Sequence, residues 1–134
     1  MSISTRARGA AGEARAAIYL EAQGLTVIAR NLACKRGELD LVCLDRDILV
    51  IVEVKLRAAP SFGGALASVT RSKQRRLIRA AQYFWQRAPD WRTRRMRFDV
   101  LAIQDVLAIQ GGTDANPAAI RAPDIRWIKD AFRA

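Results

Sequence analysis

Residues 48 to 57, Ile-Leu-Val-Ile-Val-Glu-Val-Lys-Leu-Arg, read as a buried β-strand that carries two charges in its interior. An unbroken aliphatic and β-branched run of this kind marks the middle of a sheet. An ionised carboxylate there costs several kcal/mol unless a partner or a metal neutralises it. Side chains alternate along a strand, so Glu53 and Lys55 share one face while Val52 and Val54 share the other. A plain ion pair at a sheet edge would satisfy this pattern, and so would half of a reactive site.

The segment before it separates these readings. In Gly37-Glu38-Leu39-Asp40-Leu41-Val42 a second acid, Asp40, interrupts another apolar strand, and Asp45-Arg46-Asp47 marks the reversal between the two. If Arg46 and Asp47 form the loop of an antiparallel hairpin, residue 45 faces residue 48 and Asp40 falls opposite Glu53; a four-residue loop gives the same register. An odd-length loop would send the two acids to opposite faces. Facing carboxylates repel unless a cation lies between them or one is protonated. Mg²⁺ resolves the conflict, because it uses one or two carboxylates and completes its shell with water and phosphate oxygens. Lys55 would then orient or deprotonate an attacking water and offset charge on the phosphate. Glu38 shares the Asp40 face, as a supporting acid or simply an exposed one.

Composition narrows the chemistry further. The 134 residues, 51% of them apolar, suit one domain spanning 1–134. With no histidine, serine- or cysteine-histidine catalysis and histidine-based metal hydrolysis are excluded, which leaves carboxylates, lysine and a hard metal. The net charge is +10, and the stretch from Arg71 to Arg97 holds Arg71, Lys73, Arg75, Arg76, Arg79, Arg87, Arg92, Arg94, Arg95 and Arg97 against the single acid Asp90. Clustered arginine is a footprint for a polyanion, nucleic acid above all, although the same charges would also suit a solvated helix face. Cys34 and Cys43 lack metal-ligand spacing and read as small buried thiols in the reduced state. Without a secretory leader or an apolar run long enough to span a bilayer, no membrane association and a cytoplasmic location are expected.

The periodicities predict a helix from Thr5 to Gln23, with an apolar stripe of Ala10, Ala14, Ala17, Ile18 and Leu20 and a stop at Gly24. Strands are expected at Leu25 to Asn31, Leu39 to Leu44 and Ile48 to Leu56, and a loop at Pro60 to Gly64. A second helix runs from Ser72 to Trp85, capped by Thr70 or Ser72, with its arginines on the side opposite Leu77 and Ala81. Strands at Met96 to Ile103 and Ile125 to Ile128 follow. Asp99-Val-Leu-Ala-Ile-Gln104 is repeated at once as Asp105-Val-Leu-Ala-Ile-Gln110, a local duplication that would lengthen a strand or form a hairpin before a Gly111 to Pro117 loop. Lys73 and Gln74 at a helix start would suit a phosphate, and Trp85 and Trp91 read as packing residues.

The ordered series Glu13, Gly37-Glu38-Leu39-Asp40-Leu41, Val52-Glu53-Val54-Lys55-x-Arg57, Lys73 and Arg97-Phe98-Asp99 resembles the bacterial YraN-like proteins. These are predicted endonucleases similar to archaeal Holliday-junction resolvases of the PD-(D/E)XK nuclease superfamily. The resemblance spans about Arg8 to Ile103. It implies an α/β, restriction-endonuclease-like fold, a central mixed β-sheet flanked by helices. It also implies Asp40 and Glu53 as catalytic metal ligands for Mg²⁺ or Mn²⁺, Lys55 as catalytic, Glu13 as a further metal ligand, and a homodimer. Arg57, Lys73, Gln74, Arg75, Arg76 and Arg79 are the residues expected to meet nucleic acid.

Together these point to a metal-dependent DNA endonuclease that hydrolyses phosphodiester bonds, with selectivity for branched DNA as the finer expectation. The alternative is a non-catalytic nucleic-acid-binding accessory protein on the same scaffold. RNA is equally compatible with phosphate contacts, which carry no sequence information.

Overall fold

The computed structural model describes residues 5–57, 69–104 and 125–134. The expected loop at Pro60 to Gly64, the second copy of the duplication and the Gly111 to Pro117 stretch lie outside the described residues. In chain order the elements are α1 (Thr5–Ala22), β1 (Thr26–Cys34), β2 (Gly37–Asp45), β3 (Ile48–Arg57), α2 (Arg71–Arg87), the short α3 (Pro89–Arg92), β4 (Met96–Gln104) and β5 (Ile125–Phe132).

The strands form one five-stranded sheet in the order β1-β2-β3-β4-β5. It is mixed: β3 and β4 run parallel, and the other neighbours are antiparallel. The parallel step requires a crossover, and α2 and α3 lie in that connection. The architecture is therefore α/β, an open mixed sheet with helices on both faces.

Strand alternation distributes the core between those faces. Leu49, Ile51, Phe98 and Val100 pack under Leu77, Ala80 and Ala81 of α2. Val50, Val52, Leu101 and Ile103 pack under Ala16, Ala17 and Leu20 of α1. Buried on both sides, β3 and β4 need the near-continuous apolar runs seen in the sequence. Gly24, at φ +98, ends α1 as expected. The α1 stripe differs from the expected one: Ala16, Ala17 and Leu20 are buried, whereas Ala14 and Ile18 are exposed, Ile18 to 70%. An alanine-rich helix is apolar nearly all round, so composition alone does not fix its rotation. The observed rotation turns Gly12 and Glu13 toward the sheet, one turn before Ala16 and Ala17.

The β2–β3 hairpin has the two-residue loop Arg46-Asp47, with Arg46 in the left-handed region at φ 58. Asp45 faces Ile48 and Leu41 faces Val52, which is the expected register. Both cysteines are free; Cys43 is buried, and burial pushes its thiol up to about 12. Trp85 and Trp91 pack against the core on the α2 side, as expected. No helix among the described residues is long and apolar enough to cross a membrane.

Candidate active site

Asp40 sits where the β2–β3 ladder stops. The last paired residues are Leu41 and Val52; one step further, the Asp40 carboxylate itself accepts the Val54 N–H at 2.9 Å. The cause is a local rotation of β2. Leu39 packs in the core under α2 and Leu41 in the core under α1, although residues two apart on a regular strand share a face. Next to this break in β1 is Asn31, at φ 53, a conformation that asparagine tolerates better than most residues. The rotation turns Asp40 sideways toward β3.

There it meets Glu53. The two carboxyls share a hydrogen bond, and the Asp40 pKa is raised to about 7, first by burial and then by the Glu53 charge, with the Val54 amide opposing. A carboxyl hydrogen-bonded to another carboxyl must hold a proton or have a cation nearby. Lys55, two residues on and on the same face, places Nζ 3.6 Å from Glu53 Oε1, with both side chains largely buried at 19% and 17% exposure.

Glu13 approaches from α1. Its carboxyl is also raised, first by burial and next by Asp40, with a smaller push from Glu38, while a hydrogen bond from the Asn31 side chain holds it down. Gly12 leaves room for this approach. A Cβ at that position would lie 2.6 Å from Leu56 Cδ2, so a larger residue would have to push the end of that side chain aside.

The opposite wall belongs to α2. Gly37, Glu38, Glu53, Lys55, Lys73, Arg76 and Leu77 line a cleft of about 200 Å³. Lys73 stands beside Lys55, whose charge lowers the Lys73 pKa. Acids and ammonium groups therefore face one another across the cleft. Among the described residues no three acidic or thiol groups converge tightly enough to form a ready-made metal cage. The Asp40 and Glu53 pair nevertheless fits a hard divalent ion, because two carboxyls forced into contact need a countercharge and Mg²⁺ takes one or two such ligands.

The other expected residues are placed as follows. Arg75, Arg76 and Arg79 are exposed on α2, Arg75 on the side turned furthest from Leu77 and Ala80. Arg57 ends β3, and its side chain lies outside the described residues. The start of α2 differs from the expected phosphate seat. Thr70 is the N-cap, and its Oγ1 accepts the Lys73 amide at 3.2 Å while its carbonyl accepts the Gln74 amide at 2.8 Å. The Gln74 side chain donates to the Val69 carbonyl at 3.0 Å. Thr70 has taken the Lys73 and Gln74 amides, so those two residues could meet a phosphate only through their side chains, and the Gln74 side chain is already engaged.

Asn31 lies at the candidate site beside Glu13, a place the sequence did not assign it; its signal was an asparagine inside an otherwise regular strand. Asp99 belongs to a separate cluster. It is fully buried and accepts Arg97 Nε at 3.0 Å, Arg97 Nη2 at 3.0 Å, Trp127 Nε1 at 2.8 Å and the Asp130 amide at 2.9 Å, while Arg97 Nη1 reaches Asp45 at 3.0 Å. Asp130, at φ 51, lies in an irregularity of β5 opposite Asp99. With its oxygens saturated, Asp99 ties β5 to β4 and holds Arg97 in place.

A model described as uncharacterised protein family UPF0102 matches residues 12–103, a span that runs from Gly12 through every acid and lysine of the cleft. The chain belongs to UPF0102. A UPF0102 protein of Pseudomonas putida strain GB-1 is 46% identical over 128 residues, covering 96% of this chain and 94% of its own. One from Alcanivorax borkumensis is 43% identical over 129 residues, with 96% and 94% covered. A third, from Halorhodospira halophila, is 43% identical over 128 residues, with 96% and 88% covered. UPF0102 is the YraN-like grouping to which the ordered motifs pointed.

Proposed function

We propose that this UPF0102 protein is a Mg²⁺- or Mn²⁺-dependent DNA endonuclease on a restriction-endonuclease-like scaffold, acting in the cytoplasm, with branched DNA as its preferred substrate. The observation that carries the reading is the Asp40–Glu53 carboxyl pair, set at the point where two strands part and flanked by Lys55 and Lys73. A plain structural ion pair needs only one acid. The second creates a repulsion that is useful only if a cation joins it.

Asp40 and Glu53 would hold the ion, with Glu13 closing the site from α1. Bound there, it would supply Lewis acidity and an acidified water. The chain's own groups do the rest. Lys55 and Lys73 bind the non-bridging phosphate oxygens and offset the charge that grows on them as water attacks in line. Val54 N–H holds one Asp40 oxygen in position, which fixes the direction of the other. Arg76, on the cleft wall, positions the flanking phosphate.

A second reading, a binding module without turnover, is favoured by the arginines exposed on α2, which would hold phosphates whether or not the cleft reacts. One panel separates the two. Labelled linear, nicked, single-stranded and four-way-junction DNA, and their RNA equivalents, are incubated with the protein, with and without Mn²⁺. Metal-dependent cleavage that disappears in Asp40→Asn and Glu53→Gln supports the nuclease. Binding without cleavage of any substrate, or cleavage that survives both substitutions, removes it.

A further inference from the structure

Beside this cleft of mixed charge lies a second depression of different character. Arg36, Arg79, Gln82, Tyr83, Gln86 and Arg87 line a groove of about 280 Å³, and no acid is among them. The two adjoin. Arg36 precedes Gly37 in the β1–β2 turn, and Arg79 follows Arg76 by one turn of α2, while Gly37 and Arg76 belong to the cleft. A Cβ on Gly37 would lie 3.4 Å from Arg76 Cγ and 3.8 Å from Ala80 Cβ, ordinary contact distances, so the turn lies against the helix.

Stacking geometry gives the groove more than charge. The Arg87 guanidinium carbon sits 3.6 Å above the Tyr83 ring centroid, and Arg87 Nη1 donates to the Tyr83 carbonyl at 3.0 Å. Tyr83 is braced in turn by an edge contact with Phe84, centroids 5.2 Å apart. An arginine held this way is a preset plane with its outer face toward solvent. Guanidinium planes and aromatic rings receive bases that have left a duplex, whereas stacked base pairs offer no face to them.

We infer that the groove along α2, from Arg76 and Arg36 to the Tyr83–Arg87 pair, holds a single-stranded nucleic-acid segment leading away from the cleft, its phosphates on Arg36 and Arg79 and a base on the Arg87 plane. This deepens the proposed function and rests on its nucleic-acid reading, adding that the substrate has an unpaired arm beside the scissile phosphate. From Lys73 to Arg87 the helix covers about 21 Å. At roughly 3.4 Å per nucleotide that accommodates about six nucleotides of stacked strand.

Fluorescence anisotropy in EDTA, where turnover is not required, tests the inference. The probes are a blunt DNA duplex and a shorter duplex with a thymidine tail of about six nucleotides, matched in total phosphate count. The tailed probe is expected to bind about tenfold tighter. Arg36→Ala with Arg87→Ala should remove most of that advantage and leave blunt-duplex affinity within about twofold. An abasic tail, which keeps the phosphates and lacks the bases, should respond to Arg36→Ala and ignore Arg87→Ala. No advantage from the tail, or an equal loss on both probes in the double variant, overturns the inference. Tail-dependent binding by a protein that cuts nothing would sustain the groove and refute the nuclease. Metal-dependent cleavage without tail preference would do the reverse.

Discussion

Replacing Asp40 by asparagine should make the metal-free protein more stable at alkaline pH, and the size of the gain follows from the site. In the folded protein the Asp40 carboxyl keeps its proton up to about pH 7, whereas its ordinary value is 3.8. Below the ordinary value both states are protonated and the group contributes nothing. Between there and pH 7 the folded state binds a proton that the unfolded chain has released, so stability falls as pH rises; above pH 7 the penalty is complete. The gap from 3.8 to about 7 corresponds to ~4 kcal/mol. An amide at this position relieves that penalty while keeping the local bonding: its oxygen still accepts the Val54 N–H, and its nitrogen donates to Glu53. Urea unfolding in EDTA, followed by tryptophan fluorescence, should therefore show Asp40→Asn more stable than wild type by several kcal/mol near pH 8.5 and equal to it near pH 4. Equal stability at both pH values, or a less stable variant at pH 8.5, would show that the carboxyl pair is not under the strain described.

Lys55→Met should lower cleavage at least about 100-fold while leaving Mn²⁺ affinity intact or tighter, because it removes a phosphate contact and a cation beside Glu53; single-turnover assays with a parallel metal titration read both. Asp99→Ala should cost about 3–5 kcal/mol in urea unfolding, since it strips Arg97 and the Trp127 indole N–H of their partner, and the protein that remains folded should bind Mn²⁺ as wild type does. Gly12→Leu should lift α1 from Leu56 and carry Glu13 away, weakening Mn²⁺ binding severalfold with far-UV circular dichroism unchanged.

Much of the site was legible because strand chemistry is governed by alternation and pairing. The apolar run at Ile48 to Leu56 located β3, and the two-residue loop at Arg46-Asp47 fixed the register that brings Asp40 beside Glu53. What sequence did not disclose was how Asp40 gets there. A direct ladder pair was expected, but β2 rotates beside Asn31, and the carboxylate takes over a backbone hydrogen-bonding position. A single left-handed residue leaves little trace in a hydrophobic pattern. The rotation of α1 was hidden for another reason: Ala14, Ala16 and Ala17 are nearly equivalent by composition, and only packing on the sheet distinguishes them. The saturation of Asp99 was likewise out of reach, because Trp127 and Asp130 come from a distant strand through an irregular pairing. The Lys73 and Gln74 amides at the start of α2 are not free, because the capping threonine, correctly anticipated as one of two choices, uses them.

The account's central claim is that Asp40 and Glu53 are paired to share a cation. Calorimetric titration of Mn²⁺ into the wild-type protein and into Glu53→Gln, near pH 8, tests it most directly. One site per chain in the wild type, lost in the variant, is the predicted result. No binding by the wild type, or unchanged binding by the variant, would contradict it.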